Sequence, residues 1–539
     1  MRARDLDALA GAEHDILVIG GGIYGLAIAA DAASRGLTVA LVEAGDFGSG
    51  ASFNHQKTAH GGLRSLQSGN LTRARQAIRE RRALARIAPR LLRPLPFIIG
   101  TYRSVTRSRP ALRVAFRMDR WLGRDRNDSV EPELHLPPPR LVSRAATLKL
   151  FPGIRREGLT GGAMWYDYQM VEADRLTIAF AAAADAFGAR LANHAEATDA
   201  LKDGHTVTGM RVRDRLTGQV IEVRARLTIN AAGAQAGTIM GAFGVTHAVP
   251  LVRAMNLVTR RPASDIALAA PGASGRMLTL VPWRGRALIG TSQTAAPRGA
   301  ADAAPDAAAI EAFIADANAA FPALNLTRDE VTLVHRGLVP ARGEGQADLL
   351  AAPRILDHAT DGVRGALTVL GVKYTTARGV AAEVTTRAAR ALGRTVPPSR
   401  TDRQPLPGAA IADHEALALE AARDVALEVG TPIVRHLTAV YGDRCAPIIR
   451  LMAERSDWRM PLEPGIPGIG AEVIYAIRHE MALTLGDVLI RRTGLGADGR
   501  PSEGIIQAAA RLAADELGWT RERRQQEIDA VDAFYRLPS

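Results

Sequence analysis

The stretch Gly20-Gly-Gly-Ile-Tyr-Gly25 sets glycines at the spacing G-x-G-x-x-G, and an acid, Glu43, follows eighteen residues after the last of them. That pattern suits a pyrophosphate. Gly20 permits a tight turn, Gly22 lets backbone approach the phosphates, and Gly25 lets a helix pack on a strand. A helix opening at Ile23 offers unpaired N–H groups and a partial positive charge. Glu43 can accept hydrogen bonds from both hydroxyls of an adenosine ribose. Further on, Ser49-Gly-Ala-Ser52 precedes Lys57-Thr-Ala-His60-Gly61-Gly62-Leu63-Arg64-Ser65. Small residues and a glycine pair let backbone lie against a flat ring system, with Lys57 and Arg64 bringing positive charge beside it. Two more small-residue turns follow, Asn230-Ala-Ala232-Gly233 and Gly371-Val-Lys373-Tyr374-Thr375-Thr-Ala-Arg378.

The elements that must position these residues are readable around them. Asp15–Ile19 is an apolar run suited to a buried parallel strand, an Ala-rich helix runs to Ser34, and Leu37–Val42 is a second strand ending at Glu43. Val207–Arg213 and Gln219–Arg224 flank Leu216-Thr-Gly218 as a hairpin, and Ala225–Asn230 returns as a strand. Residues 246–325 read as a sheet-rich insertion, with strands Met277–Val281 and Ala287–Thr291 around the Trp283-Arg-Gly285 turn and a helix at Ile310–Phe321. Beyond Pro397–Gly408 the chain is almost entirely helical. The expected fold class is α/β, with a Rossmann-type nucleotide domain, an inserted sheet-rich domain and a C-terminal helical domain. The expected boundaries are 13–90, 145–245 and 326–395 for the nucleotide domain, 91–144 and 246–325 for the insertions, and 401–539 for the helical domain.

The 539 residues, 47% hydrophobic and 23% charged, are enough for several buried cores and exclude a disordered or fibrous chain. One cysteine, Cys445, permits no intrachain disulfide and reads as packing. No apolar stretch reaches the length of about 18 residues that a spanning helix needs, and no signal peptide is expected, so the chain reads as cytoplasmic. The twelve histidines are scattered without ligand spacing, and no metal is expected. The net charge of +12 concentrates between Arg73 and Arg126, where sixteen Arg meet three acids. A solvated helix face and a surface for anionic lipid both fit that segment. No nucleic-acid module accompanies it, and no nucleic acid is expected. Four lysines stand among 68 basic residues, and two of them, Lys57 and Lys373, fall inside the motifs above.

Taken together the motifs resemble the FAD-dependent glycerol-3-phosphate dehydrogenase family, within the D-amino-acid-oxidase-like flavoproteins. The resemblance rests on Gly20–Gly25 with Glu43, Lys57-x-x-His60-Gly-Gly-Leu-Arg64, Asn230-Ala-Ala-Gly233, Ile289-Gly-Thr291 and Gly371-x-Lys373-x-Thr-Thr-x-Arg378. In the tail it is joined by Glu480-Met-Ala-x-Thr-Leu-x-Asp487-x-Leu-x-Arg-Arg-Thr493. It implies FAD held by Gly20, Gly22, Ile23, Gly25, Glu43, Ser52, Lys57, Gly61, Gly62, Leu63, Ala232, Gly233, Gly371, Lys373, Tyr374 and Thr375. It also implies hydride transfer from a small anionic alcohol, with Arg64, Lys373 and His60 as catalytic residues. A quinone acceptor, docking of segment 73–126 on the inner face of the cell membrane and a homo-oligomer are the further expectations.

Three pocket positions depart from the family pattern. Ser65 stands where the family has Tyr, Asn256 where it has His, and Val339 where it has Arg; Arg336, His335 or Arg342 are nearby candidates to compensate. These departures keep two other readings open: a different hydroxy or amino substrate on the same scaffold, and a flavin-binding relative of low activity.

Overall fold

In this computed structural model the described residues are 1–538, except 64–65, 67–68, 104–107, 298, 300–303, 410–412 and 425–426. The early strands are β1 (Glu13–Ile19), β2 (Val39–Val42), β3 (Thr58–Ala59), β4 (Leu92–Tyr102), β5 (Arg140–Val142) and β6 (Leu159–Met170). They are followed by β7 (Arg190–Ala192), β8 (Ala195–Asp203), β9 (Thr206–Asp214) and β10 (Val220–Asn230). The later strands are β11 (Leu251–Pro262), β12 (Ala267–Pro271), β13 (Met277–Trp283), β14 (Arg286–Ala295), β15 (Val331–Pro340), β16 (Arg354–Asp357) and β17 (Ala366–Leu370).

The first sheet runs β16-β17-β10-β1-β2-β7, with β17, β10, β1, β2 and β7 mutually parallel and the β8–β9 hairpin attached to β10. Its central strands are buried on both faces, which is why Ile16–Ile19 and Val39–Val42 are unbroken apolar runs. Helices Ile23–Ser34, Ala173–Ala186 and Ala377–Ala391 share one core with β1, β2 and β17 through Leu26, Phe180, Val380 and Val384. Helices Leu6–Ala10 and Ala236–Phe243 cover the other face around Leu9, Met240 and Phe243.

The second sheet runs β15-β11-β14-β13-β12-β4-β6-β3, with β5 beside β6. Helix Ala307–Ala320 backs it, setting Ile310, Phe313 and Ile314 against Leu257, Leu280 and Ile289. Here the structure moves a boundary. The sequence assigns 326–395 wholly to the nucleotide domain, yet β15 extends the second sheet by pairing along β11 from Leu251↔Pro340 to Thr259↔Val331. β3 and β6, from segments likewise expected in the nucleotide domain, also lie in this sheet. A strand's alternation fixes which face it buries, not which neighbour it joins.

The tail is helical from His414–Asp424 to Arg521–Tyr535. Its core of Leu437, Ile448, Val473, Leu489 and Ile506 also takes in Phe53, Trp283 and Leu333, so it is packed against both other layers.

Candidate functional site

Three of the glycine turns fall at the carboxyl ends of three adjacent parallel strands: Gly20 after β1, Ala231–Gly233 after β10 and Gly371 after β17. In a doubly wound sheet that row of strand ends is where a ligand crevice forms. Gly20 adopts φ +105°, and a Cβ there would lie 2.7 Å from the Ala231 carbonyl oxygen. A Cβ on Gly25 would sit 1.8 Å from the Gly20 oxygen, so only glycine lets the helix pack this closely on β1. Gly22 caps that helix without a side-chain bond, leaving N–H groups aimed at the crevice; Ile23 N–H donates to Ser52 Oγ at 2.9 Å. Asn230 shapes the second turn by accepting from Ala232 N–H at 3.2 Å and donating to the Ala236 carbonyl at 2.9 Å.

Glu43, just past β2, is tied to the first glycine turn. Its carboxylate accepts from Gly21 N–H at 2.6 Å and from Gly45 N–H at 2.7 Å, while burial pushes its pKa up against those two bonds. A dinucleotide fits this donor set: backbone N–H groups for phosphates, a carboxylate for ribose and glycines that leave room.

The segment His60–Leu63 is held from beneath by Asp167 on β6. Asp167 accepts from Gly61 N–H at 2.7 Å, lies 3.1 Å from His60 Nδ1 and is paired with the Arg81 guanidinium. Burial raises its pKa, but the bonds from His60 and Arg81 outweigh that and hold the carboxyl below the ordinary range. His60 N–H donates to Thr375 Oγ1 at 3.2 Å, tying this segment to the turn after β17. Gly62 adopts φ +84°. Arg64 and Ser65 lie outside the described residues.

Lys57 and Lys373 have opposite surroundings. The Lys57 ammonium is fully buried, donating to the Phe53 carbonyl at 2.6 Å, 3.6 Å from the Asp174 carboxylate and 4.4 Å from the Phe53 ring centroid. The sequence expects it beside the cofactor; the structure turns its charge inward, where burial lowers its pKa and Asp174 opposes that shift. Lys373 is exposed at the mouth of the turn, its carbonyl accepting from Tyr24 OH at 3.0 Å. Next to it, Tyr374 OH bonds Thr177 Oγ1 at 2.9 Å and its ring stacks on His55 at 4.8 Å.

The second sheet turns a polar face to loop 51–56. Asn256 on β11 stands opposite His335 and Gly290, and its Oδ1 accepts from Thr291 Oγ1 at 2.8 Å. Loop 51–56 rests on that face: Gln56 bonds Thr279 Oγ1 at 2.8 Å, and Asn54 accepts from Arg336 N–H at 3.0 Å. Val339 opposes Val252 on the same face, in register two pairs beyond Gly337. His335 is fully buried, edge-on to Phe53 at 5.0 Å, and burial drives its pKa well below the ordinary imidazole value. It is buried on the same sheet face as Asn256, with which it pairs.

Sequence reasoning missed Asp167, Arg81 and Asp46. Asp46, just past Glu43, bonds Arg492 at 2.7 and 2.8 Å. Among the described residues, Asp46, His194 and Asp487 bring ligand atoms within 4.8 Å of one another, but Arg491 and Arg492 already engage these carboxylates. No local pattern marks Asp167, Arg81 or Asp46; each acquires its partner only through the fold.

The profile of the family described as FAD dependent oxidoreductase matches residues 15–387, and that of the C-terminal domain of alpha-glycerophosphate oxidase matches 399–524. A glycerol-3-phosphate dehydrogenase of Mycobacterium leprae is 33% identical over 97% of this chain and 88% of its own. One from Synechocystis sp. is 29% identical over 98% of each chain. In the crystal structure of the glycerol-3-phosphate dehydrogenase from Bacillus halodurans complexed with FAD, the fold matches with a TM-score of 0.76 at 23% identity, covering 99% of this chain and 96% of that one. Glycine oxidase from Geobacillus kaustophilus matches 73% of this chain and 98% of its own, with a TM-score of 0.53 at 22% identity. The glycine turns, the C-terminal helical domain and the full-length relatives agree: this chain belongs to the FAD-dependent oxidoreductases, in the family of the glycerol-3-phosphate dehydrogenases.

Proposed function

We propose that this protein oxidises the secondary alcohol of glycerol 3-phosphate, or of a related phosphorylated polyol, using FAD. The observation that carries the reading is the row of three glycine turns at the β17, β10 and β1 ends, and the bonded pair of Asn256 and Thr291 on the second sheet is the polar group we assign to the substrate. The names of the full-length relatives support the choice of substrate. When bound, FAD supplies an electrophilic ring nitrogen that takes hydride from the carbinol carbon.

The chain's own residues do the rest. The Asp167 carboxylate fixes Nδ1–H of His60 and leaves Nε2 of this half-exposed ring to take the hydroxyl proton. Lys373, exposed in the turn after β17, receives the anionic end of the substrate as a compact point charge. Asn256 and Thr291 bond the substrate hydroxyls. Anaerobic addition of glycerol 3-phosphate to the FAD-loaded protein should bleach the visible flavin band. A band that persists, while a chemical reductant still bleaches it, overturns the substrate assignment.

A different hydroxy or amino compound is the second reading, favoured by Val339 and Asn256, which place no formal charge on the sheet face. Bleaching by a member of such a panel, and not by glycerol 3-phosphate, distinguishes the two. For the electron acceptor we infer a quinone reached at an anionic membrane surface on the cytoplasmic side. Helix Arg109–Leu122 supports this: Val114 and Trp121 are 57% and 64% exposed, beside the exposed Arg113, Arg117 and Arg120. No described helix is long and apolar enough to cross a membrane.

A further inference from the structure

The C-terminal domain reaches the adenosine side of the crevice through a buried charge network. Asp487–Arg492 forms a wide helical turn in which Thr493 N–H reaches back five residues to the Val488 carbonyl at 3.0 Å. From this turn Arg492, fully buried, grips both Asp46 oxygens at 2.7 and 2.8 Å, and Arg491 adds a third bond at 2.5 Å. Arg491 also bonds Asp487 at 2.8 Å, and Asp487 lies 2.9 Å from His194 Nε2. Asn193 spans the joint, donating to Asp46 at 3.0 Å and to the Met481 carbonyl at 2.8 Å.

Asp46 belongs to the loop that carries Glu43. That loop is fixed to β7 and its exit, with Glu43 N–H on the Ala192 carbonyl at 2.9 Å and His194 N–H on the Gly45 carbonyl at 2.7 Å. It is fixed equally to the glycine turn: Gly48 N–H donates to the Gly21 carbonyl at 2.9 Å, and a Cβ on Gly21 would touch the Phe47 ring at 2.7 Å. A continuous set of contacts thus runs from Gly21 and Glu43, through Asp46, to Arg491 and Arg492.

We propose that Arg492, with Arg491, is a positioning residue for the cofactor: by holding Asp46 it holds the Glu43–Phe47 loop in the shape that receives adenosine. Neither arginine need touch the ligand. A loop with freely moving ends would have to be ordered on binding, and that ordering would subtract from affinity. The coupling is reciprocal, so bound FAD tightens the seat of the C-terminal domain by the same factor. The proposal rests on the reading that Glu43 receives the adenosine ribose.

The test is equilibrium binding of FAD, and separately of ADP as a probe of the adenosine end, to the full-length apoprotein. Arg492→Met should weaken both ligands by about tenfold, and Arg492→Lys, which keeps the charge and loses the fork, should recover part of that loss. Arg284→Met is the control, because Arg284 bonds the Gly494 carbonyl of the same domain and pairs with Glu172, and neither partner lies in the Glu43–Phe47 loop. It should leave both affinities within about twofold of wild type. The proposal is overturned if Arg492→Met leaves both affinities unchanged, or if Arg284→Met lowers them as much. Glu43→Gln tests the reading beneath it: unaltered ADP binding there would remove the adenosine assignment itself, whatever Arg492 does. If Arg492→Met does not fold, Arg491→Gln, which removes one bond to Asp46 and one to Asp487, should shift both ligands in the same direction by about threefold, and no shift overturns the proposal.

Discussion

Asp167 takes hydrogen bonds from Gly61 N–H, from His60 Nδ1 and from Trp165 Nε1 at 3.3 Å, with Arg81 paired to the same carboxylate. Asp167→Asn would leave the Arg81 guanidinium, itself 4% exposed, without its counter-charge. Breaking one side of such a buried pair costs about 3–5 kcal/mol, so a chemical denaturation midpoint should fall sharply. The variant should also slow flavin reduction by more than roughly tenfold, read by stopped flow, since His60 loses the partner that fixes its tautomer. The sign of the pH dependence follows from the depressed carboxyl. Its stability contribution is complete above the ordinary carboxylate value of about 4 and is lost as pH falls through the lower folded value, so acid should narrow the gap between variant and wild type. None of this was legible in the sequence, where Asp167 is one of the chain's 56 acids and sits among aromatic residues. The glycines were legible because their constraint is local: Gly20 and Gly25 meet each other across five residues of chain, and the short-range clash defines the motif.

At the scale of elements, the seat of the C-terminal domain on the nucleotide domain has its own pH signature. Burial lowers the pKa of His194, but its bond to Asp487 and the nearby Asp46 charge outweigh that, and the net shift is upward. The stability it contributes is therefore complete below about pH 6.5 and disappears as pH rises through the higher folded value. His194→Gln should lower the melting temperature most in mildly acidic buffer, and the difference from wild type should shrink towards pH 9. A constant difference across that range would remove the titration from the interface. Sequence patterns at this scale gave element types and left partners undetermined. The β9–β10 hairpin was readable because its turn, Leu216–Gly218, lies between its strands. The placement of β15 was not, because its neighbour β11 lies across an entire helix and hairpin.

For the whole molecule, the basic segment proves to be of two kinds. Arg75 and Arg82 are spent on Asp125, Arg126 on Asp119 and Arg81 on Asp167, so these hold the fold together. Arg113, Arg117 and Arg120 stay exposed on one helix beside Val114 and Trp121, and composition alone could not separate the two sets. Co-sedimentation with vesicles should therefore need anionic lipid and weaken with salt, and replacing those three arginines by Gln should cut it by at least roughly tenfold. Equal binding to neutral vesicles would remove the electrostatic docking.

The strand order of the first sheet also bears on how the chain is made. β1 emerges first from the ribosome but lies between β2 and β10, with Ile19 opposite Asn230, and β10 in turn waits for β17. At about 5–20 residues per second, β1 spends roughly 10–40 s with one edge unpaired before β10 exists. During that interval its apolar run is a template for the wrong neighbour. The nucleotide domain can close only after residue 370 has been made, so the order of synthesis leaves its central strands waiting for late neighbours.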